Sequence, residues 1–87
     1  MYIHLGEDTV VKQENIVGIF DLDNTSISKH TRFFLRKAEE TGKVVNVSYE
    51  LPRSFVVCCE NGTTKVYISQ ISPATLRLRA KRGLKLE

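Results

Sequence analysis

The dipeptide Asn61-Gly62 lies between two runs rich in β-branched and aromatic residues, Ser54 to Glu60 and Lys65 to Ile71. A two-residue connection between antiparallel strands favours a type I′ turn, in which both central residues need positive φ. Asparagine and glycine accept that conformation at the least cost. The pattern predicts an antiparallel hairpin in the second half of the chain. Upstream, Val44 to Tyr49 alternates Val45, Val47 and Tyr49 with Val44, Asn46 and Ser48, the period of a strand, and Pro52 breaks the ladder before the hairpin begins. The second half therefore reads as a β-meander.

The first half carries short strand signals as well. Tyr2 to Leu5 is followed by a turn at Gly6-Glu7-Asp8 and a returning strand, Thr9 to Lys12. Ile16 to Phe20 is apolar almost without interruption around Gly18. That predicts a strand buried on both faces, or with one face against a neighbouring subunit. A helix is predicted from about Ser28 to Thr41, with Ser26 or Ser28 as N-cap and Gly42 closing it. At 100° per residue Ile27, His30, Thr31, Phe34, Ala38 and Thr41 share its inner face, with Leu35 and Phe33 on the flanks. The outer face carries Lys29, Arg32 and Arg36 at spacings of three and four, with Glu39 or Glu40 in reach of Arg36. A shorter helix starts at Ser72-Pro73, where serine caps and proline occupies the first helical position. Leu76 and Ala80 face inward; Arg77, Arg79, Lys81 and Arg82 fan outward, and Gly83 is placed to end the helix. The expected architecture is α+β: one small antiparallel β-rich domain over residues 1–83, with a central and a C-terminal helix, then a flexible tail at 84–87.

A chain of 87 residues with 41% hydrophobic content can form a core. A domain of this size buries only roughly 60 to 65% of its unfolded surface. A lone subunit is then stable by only a few kcal/mol, and self-association is expected. No apolar run approaches the roughly 18 residues of a membrane span, and the start lacks a basic-then-apolar leader, so a cytoplasmic location is expected. Cys58 and Cys59 are neighbours on a strand and point to opposite faces, which strains a disulfide between them. They read as buried small hydrophobes. With His4 and His30 the only histidines, zinc-ligand spacing is missing and no metal or other cofactor is expected. His30, on the inner helix face, reads as a core histidine rather than a catalyst.

Charge is divided along the chain. Up to residue 28 one base, Lys12, stands against Glu7, Asp8, Glu14, Asp21 and Asp23. From Lys29 onward twelve bases stand against five acids, all glutamates. A polyanion is a suitable partner for the second part. The aspartates matter because residues 16–25, Ile-Val-Gly-Ile-Phe-Asp-Leu-Asp-Asn-Thr, resemble the first motif of the haloacid dehalogenase phosphohydrolases. That resemblance would make Asp21 the nucleophile and Asp23 the acid/base beside a Mg²⁺. No aspartate follows Asp23 to hold the metal. Turn chemistry, with Asp, Asn, Thr and Ser bonding the local backbone, accounts for the same residues.

Five short stretches in order resemble a different family: Tyr2-Ile-His-Leu-Gly6, Ile16 to Asp21, the helix closing on Gly42, Val56-Val57, and Tyr67 to Ala80. Together they resemble the small bacterial extracellular matrix regulatory proteins over residues 2 to about 80, closest to the RemB-like branch, with RemA-like regulators more distant. The resemblance implies a non-enzymatic transcriptional regulator of biofilm matrix genes that binds double-stranded DNA and assembles as a homo-oligomeric ring presenting arginines. It involves neither a membrane nor a small-molecule substrate. RemA-like members carry adjacent arginines after the tyrosine that ends a strand. Here Tyr49 is followed by Glu50, Leu51 and Pro52, with Arg53 next, and Asn15 occupies another basic position, three residues after Lys12.

The residues expected to contact DNA are Arg53, then Arg77, Arg79 and Arg82 in the closing helix, then Arg32, Arg36 and Lys12. The missing arginine pair and a net charge of only +3 keep a second reading open, an oligomeric protein-interaction module without DNA binding. A phosphohydrolase-like fragment using Asp21 and Asp23 is the remote third.

Overall fold

The computed structural model describes residues 1–22 and 28–85, with 82–85 as backbone only. The Asn61-Gly62 turn forms as predicted: φ is +52° and +78° at the two residues, and Glu60 pairs with Thr63 across it. It joins two antiparallel strands, which in chain order are β5 (Ser54–Glu60) and β6 (Thr63–Ser69). The preceding elements are β1 (Tyr2–Gly6), β2 (Thr9–Lys12), a 3₁₀ turn at Gln13–Asn15, β3 (Ile16–Asp21), α1 (Lys29–Glu40) and β4 (Val44–Asn46). The closing helix α2 spans Pro73–Lys85.

β1 and β2 form a separate two-stranded hairpin, and the other strands form one sheet in the order β3-β5-β6-β4. Because side chains alternate along β5 and β6, this sheet has two apolar faces. Val56 and Cys58 pack with Ile3, Leu5 and Val11 of the β1–β2 hairpin and with Leu76 of α2. Phe55, Val57 and Val66 face the other way, toward Ala38 and Leu35 of α1. The domain is thus three layers: hairpin plus α2, sheet, and α1.

Polar groups join the layers where the core is thin. Ser54 and Ser69 pair directly across β5 and β6 and are both fully buried. Ser69 Oγ donates to the Leu5 carbonyl at 2.6 Å and accepts from Ile71 N at 3.0 Å, while Ser54 Oγ donates to the Ile71 carbonyl at 2.8 Å. Both helices start with the same cap. Thr31 N donates to Ser28 Oγ at 3.1 Å, and Thr75 N donates to Ser72 Oγ at 3.2 Å. Gly42, at φ +71°, ends α1: its N–H reaches the Glu39 carbonyl and Lys43 N–H reaches that of Ala38, satisfying two orphan carbonyls.

Several expectations are corrected. The second half is not a simple meander, because β4 pairs parallel with β6, and it is shorter than expected, leaving Val47, Ser48 and Tyr49 outside the strand. β3 is an edge strand whose Val17 and Phe20 are exposed, so burial on both faces fails within one chain. The buried side of α1 is rotated from the projected one. Thr31, Leu35 and Ala38 meet the sheet, while His30, Phe34 and Thr41 stand at its margin and are exposed, because α1 sits over the β6–β4 half of the sheet. Among the described residues Arg36 makes no ion pair with Glu39 or Glu40. Cys59 is exposed, because it faces away from its buried neighbour Cys58 near the strand end, and both thiols are free. α2 runs through Gly83 to Lys85, since glycine inside a helix costs only about 1 kcal/mol. Asp23, Ser26 and Ile27 lie outside the described residues, as do the side chain of Arg82 and the last two residues of the expected tail.

The buried serines give a direct test. Ser69→Ala removes two hydrogen bonds and leaves the Leu5 carbonyl and Ile71 N–H short of a partner, so unfolding free energy should fall by about 1–3 kcal/mol. Urea denaturation followed by circular dichroism measures this, and a loss below about 0.5 kcal/mol would contradict the layer-joining role of Ser69.

Candidate nucleic-acid interface

The bases singled out from the sequence fall into three places. Arg32 and Arg36 are exposed on α1, one outer layer of the domain. Arg77 and Arg79 are on α2 and Lys12 is on β2, all in the opposite layer. Arg53 is exposed at the end of the sheet, and its backbone is fixed there: its N–H donates to the Ser69 carbonyl at 2.8 Å and its carbonyl accepts from Leu22 N at 2.9 Å. The fold therefore separates the α1 bases from the α2 bases by the thickness of the sheet.

The two described arginines of α2 bind within the chain. Arg77 Nη2 donates to the Ile19 carbonyl of β3 at 2.9 Å, and Arg79 Nη1 donates to the His4 carbonyl of β1 at 2.8 Å. Gln13 Nε2 adds a third link, to the Ala80 carbonyl at 3.1 Å. These bonds pin α2 across the hairpin and the sheet. A guanidinium has five N–H donors, so each arginine keeps others for a second acceptor. Their positive charge remains at the surface while one donor holds the helix.

Other bases that sequence reasoning passed over have clear settings. Lys65 pairs opposite Cys58, which turns it to the hairpin side of the sheet. There it lines a cavity of about 380 Å³ together with Lys12, Tyr2, Asn61 and Tyr67. Counting from the Asn61-Gly62 turn would have found this, because the turn sets which residues of β5 and β6 are opposite. Lys37 and Lys43 line another cavity of about 330 Å³ beside α1, and the Lys37 ammonium lies 5.8 Å from the Phe33 ring centroid.

Beneath the Lys12–Lys65 cavity, burial pushes the Cys58 thiol up to about 11, with the Glu60 carboxylate adding to the effect. Tyr67 is raised by burial as well, and by Cys58 and Glu60. Cys58 thus stays a neutral thiol at ordinary pH and lacks the thiolate character of a nucleophile. Asp21 ends β3, opposite Ser54. Among the described residues no three His, Cys, Asp or Glu side chains converge on one point. No described helix is long and apolar enough to cross a membrane.

Against known proteins, the model of the RemA-like family, described as extracellular matrix regulatory protein A-like, matches residues 2–80. Extracellular matrix regulatory protein B of Bacillus subtilis (strain 168) is 42% identical over 81 residues, which cover 93% of this chain and 91% of that protein.

The two cysteines should react very differently. Brief iodoacetamide treatment of the native protein should place one adduct, on Cys59, with Cys58 modified only after denaturation; rapid double modification would contradict the buried setting of Cys58. The raised thiol also sets a pH dependence. Its folded value, about 11, lies above the ordinary 9.0, so the folded state holds the proton longer. The resulting stability is complete below pH 9 and declines as pH rises toward 11. Urea midpoints across that window should fall, and fall less in Cys58→Val.

Proposed function

The chain belongs to the RemA-like family of extracellular matrix regulatory proteins, and from that premise we propose that it regulates matrix genes by binding double-stranded DNA as a homo-oligomer. The observation that carries this reading is the extent of the match, which takes in every strand of the domain, α1 and α2 as far as Ala80. In this proposal the protein is a non-catalytic cytoplasmic transcription regulator, and its relevant chemistry is charge.

Two features support the DNA partner. Twelve of the thirteen bases but only five of the ten acids lie after residue 28, so a chain of net charge +3 has a strongly basic second part. Most of the candidate side chains are exposed, which leaves them accessible to a phosphate backbone. One subunit offers few such contacts on any one side. A ring of subunits repeats the same contact along a curved or bent duplex and gains avidity from effective concentration. Sequence preference in such a complex comes mainly from DNA shape and bending, since the contacts assigned here are to phosphates, which carry no base-edge information. Arg53 is the base nearest the position where the resemblance places the arginines of RemA-like proteins. We assign it the leading role, with Arg77, Arg79 and Arg82 of α2, Arg32 and Arg36 of α1, and Lys12 contributing.

A second reading has its own support. Arg77 and Arg79 already bind carbonyls of their own chain, and Glu50-Leu51-Pro52 precedes Arg53. Those features suit an oligomeric protein-interaction module without DNA binding.

Fluorescence anisotropy of a labelled AT-rich duplex, titrated at two salt concentrations, separates the two. The regulator should bind at low salt and weaken steeply as salt rises. Arg53→Ala should reduce the slope of log K against log salt by about one unit for each phosphate that the arginine no longer neutralises. No binding at low salt would transfer the assignment to the interaction module. Arg77 and Arg79 are poor first targets, because their replacement also unpins α2.

A further inference from the structure

We propose that the groove between α1 and the β3–β5 half of the sheet receives the Tyr49–Leu51 loop of a second copy of this chain, so that copies add head to tail. This inference gives a contact surface to the homo-oligomer proposed above and rests on that reading.

The groove exists because α1 packs over β6 and β4 and does not extend across the rest of that sheet face. Phe20 folds back over Gly18, where a Cβ would sit 2.6 Å from its ring, and stacks on Phe55 with centroids 4.9 Å apart and planes inclined by 17°. Phe55 and Val57 form the floor, Phe34 and Thr31 one wall, and Val17 the outer rim of a cavity of about 360 Å³. Val17 is 68% exposed, Phe20 43% and Phe34 40%, an apolar patch that the described residues leave open. Phe34 also borders the adjoining cavity, where Lys37 and Lys43 stand.

The same chain carries an element that matches the groove in polarity and charge. After β4 the loop presents Tyr49, fully exposed, and Leu51, 82% exposed. It is held firmly. Val47 N donates to the Ile68 carbonyl and Arg53 N to that of Ser69, one at each end, while Ser48 Oγ accepts from Glu50 N at 3.0 Å and Pro52 restricts the exit. Such a loop loses little freedom on docking. Glu50 lies between the two apolar side chains, and Glu7 lines the same surface. The loop is therefore apolar with acidic neighbours, and the groove is apolar with Lys37 and Lys43 in the cavity that adjoins it at Phe34.

Groove and loop are different surface patches: the groove is lined by β3, β5 and α1, whereas the loop joins β4 to β5 past the ends of the strands. A contact between different patches on two identical copies is heterologous, and each copy retains one unused groove and one unused loop. Repetition closes into a ring or extends as a filament. That complementarity within one sequence is why the occupant is a second copy rather than an unrelated partner.

The test uses the full-length chain in sedimentation velocity. A groove variant, Val17→Glu with Phe34→Ser, and a loop variant, Tyr49→Ala with Leu51→Glu, change only exposed side chains; circular dichroism confirms that each is folded. Each variant alone should associate at least about tenfold more weakly than the parent, the range expected on losing a bulky anchor. Mixed in equal amounts they should form a one-to-one dimer and nothing larger, because one retains the loop and the other the groove. Variants that assemble like the parent would assign the groove to another partner and overturn the contact while the oligomer reading stands. A mixture that stays monomeric overturns it too. A parent chain that is monomeric at every concentration defeats the oligomer reading and this contact together.

Discussion

Everything in this domain is attached to the β5–β6 ladder. It is the longest pairing in the sheet, running from Ser54 opposite Ser69 to Glu60 opposite Thr63, and it is flanked by β3 on one side and β4 on the other. Alternation along it produces two apolar faces from one pair of strands, and each face has its own core cluster. Loss of the pairing would remove the floor from both clusters. A two-residue type I′ turn sets which residues are opposite, and a slip by one position would turn every side chain to the wrong layer.

A chain this short cannot close three layers on apolar contact alone, and it uses side-chain to backbone hydrogen bonds at the seams. The Ser54–Ser69 pair ties the sheet to β1 and to the lead into α2. Gln13, Arg77 and Arg79 hold α2 through three separate carbonyls on or near it. The arginines thereby act at two levels. Their bonds to carbonyls belong to folding, whereas their charge belongs to whatever the surface meets. A fall in binding on mutation of Arg77 or Arg79 would need a stability measurement beside it before being read as a direct effect on the interface.

Signals that depend on a few adjacent residues are legible in the sequence. The Asn61-Gly62 turn, the Ser28 and Ser72 caps, Pro73 at the helix start and Gly42 at the helix end all appear where local chemistry puts them. What escapes depends on where elements meet. A helical projection defines a broad apolar arc from His30 to Ala38 but not which part of it rests on the sheet, so it puts Leu35 on the flank and Phe34 at the centre. The parallel pairing of β4 with β6 joins segments separated by a whole strand, and alternation alone is blind to strand direction. For the candidate site, the bases are visible as charge. Their division between two outer layers, and the use of Arg77 and Arg79 as struts, require knowing which carbonyls lie nearby.

That division bears on how such a surface could work. A straight duplex lying along one subunit meets either the α1 bases or the α2 bases, with Arg53 at the sheet end between them, and gathers few contacts either way. Repetition around an assembly changes the count, because a weak set of phosphate contacts used several times is strong in sum and steep in its salt dependence. The loop that carries Arg53 is also the loop that displays Tyr49 and Leu51. In the proposed assembly, docking of that loop would fix Arg53 relative to a neighbouring subunit. Association and phosphate contact would then be coupled through a single short segment rather than through any change in the domain behind it.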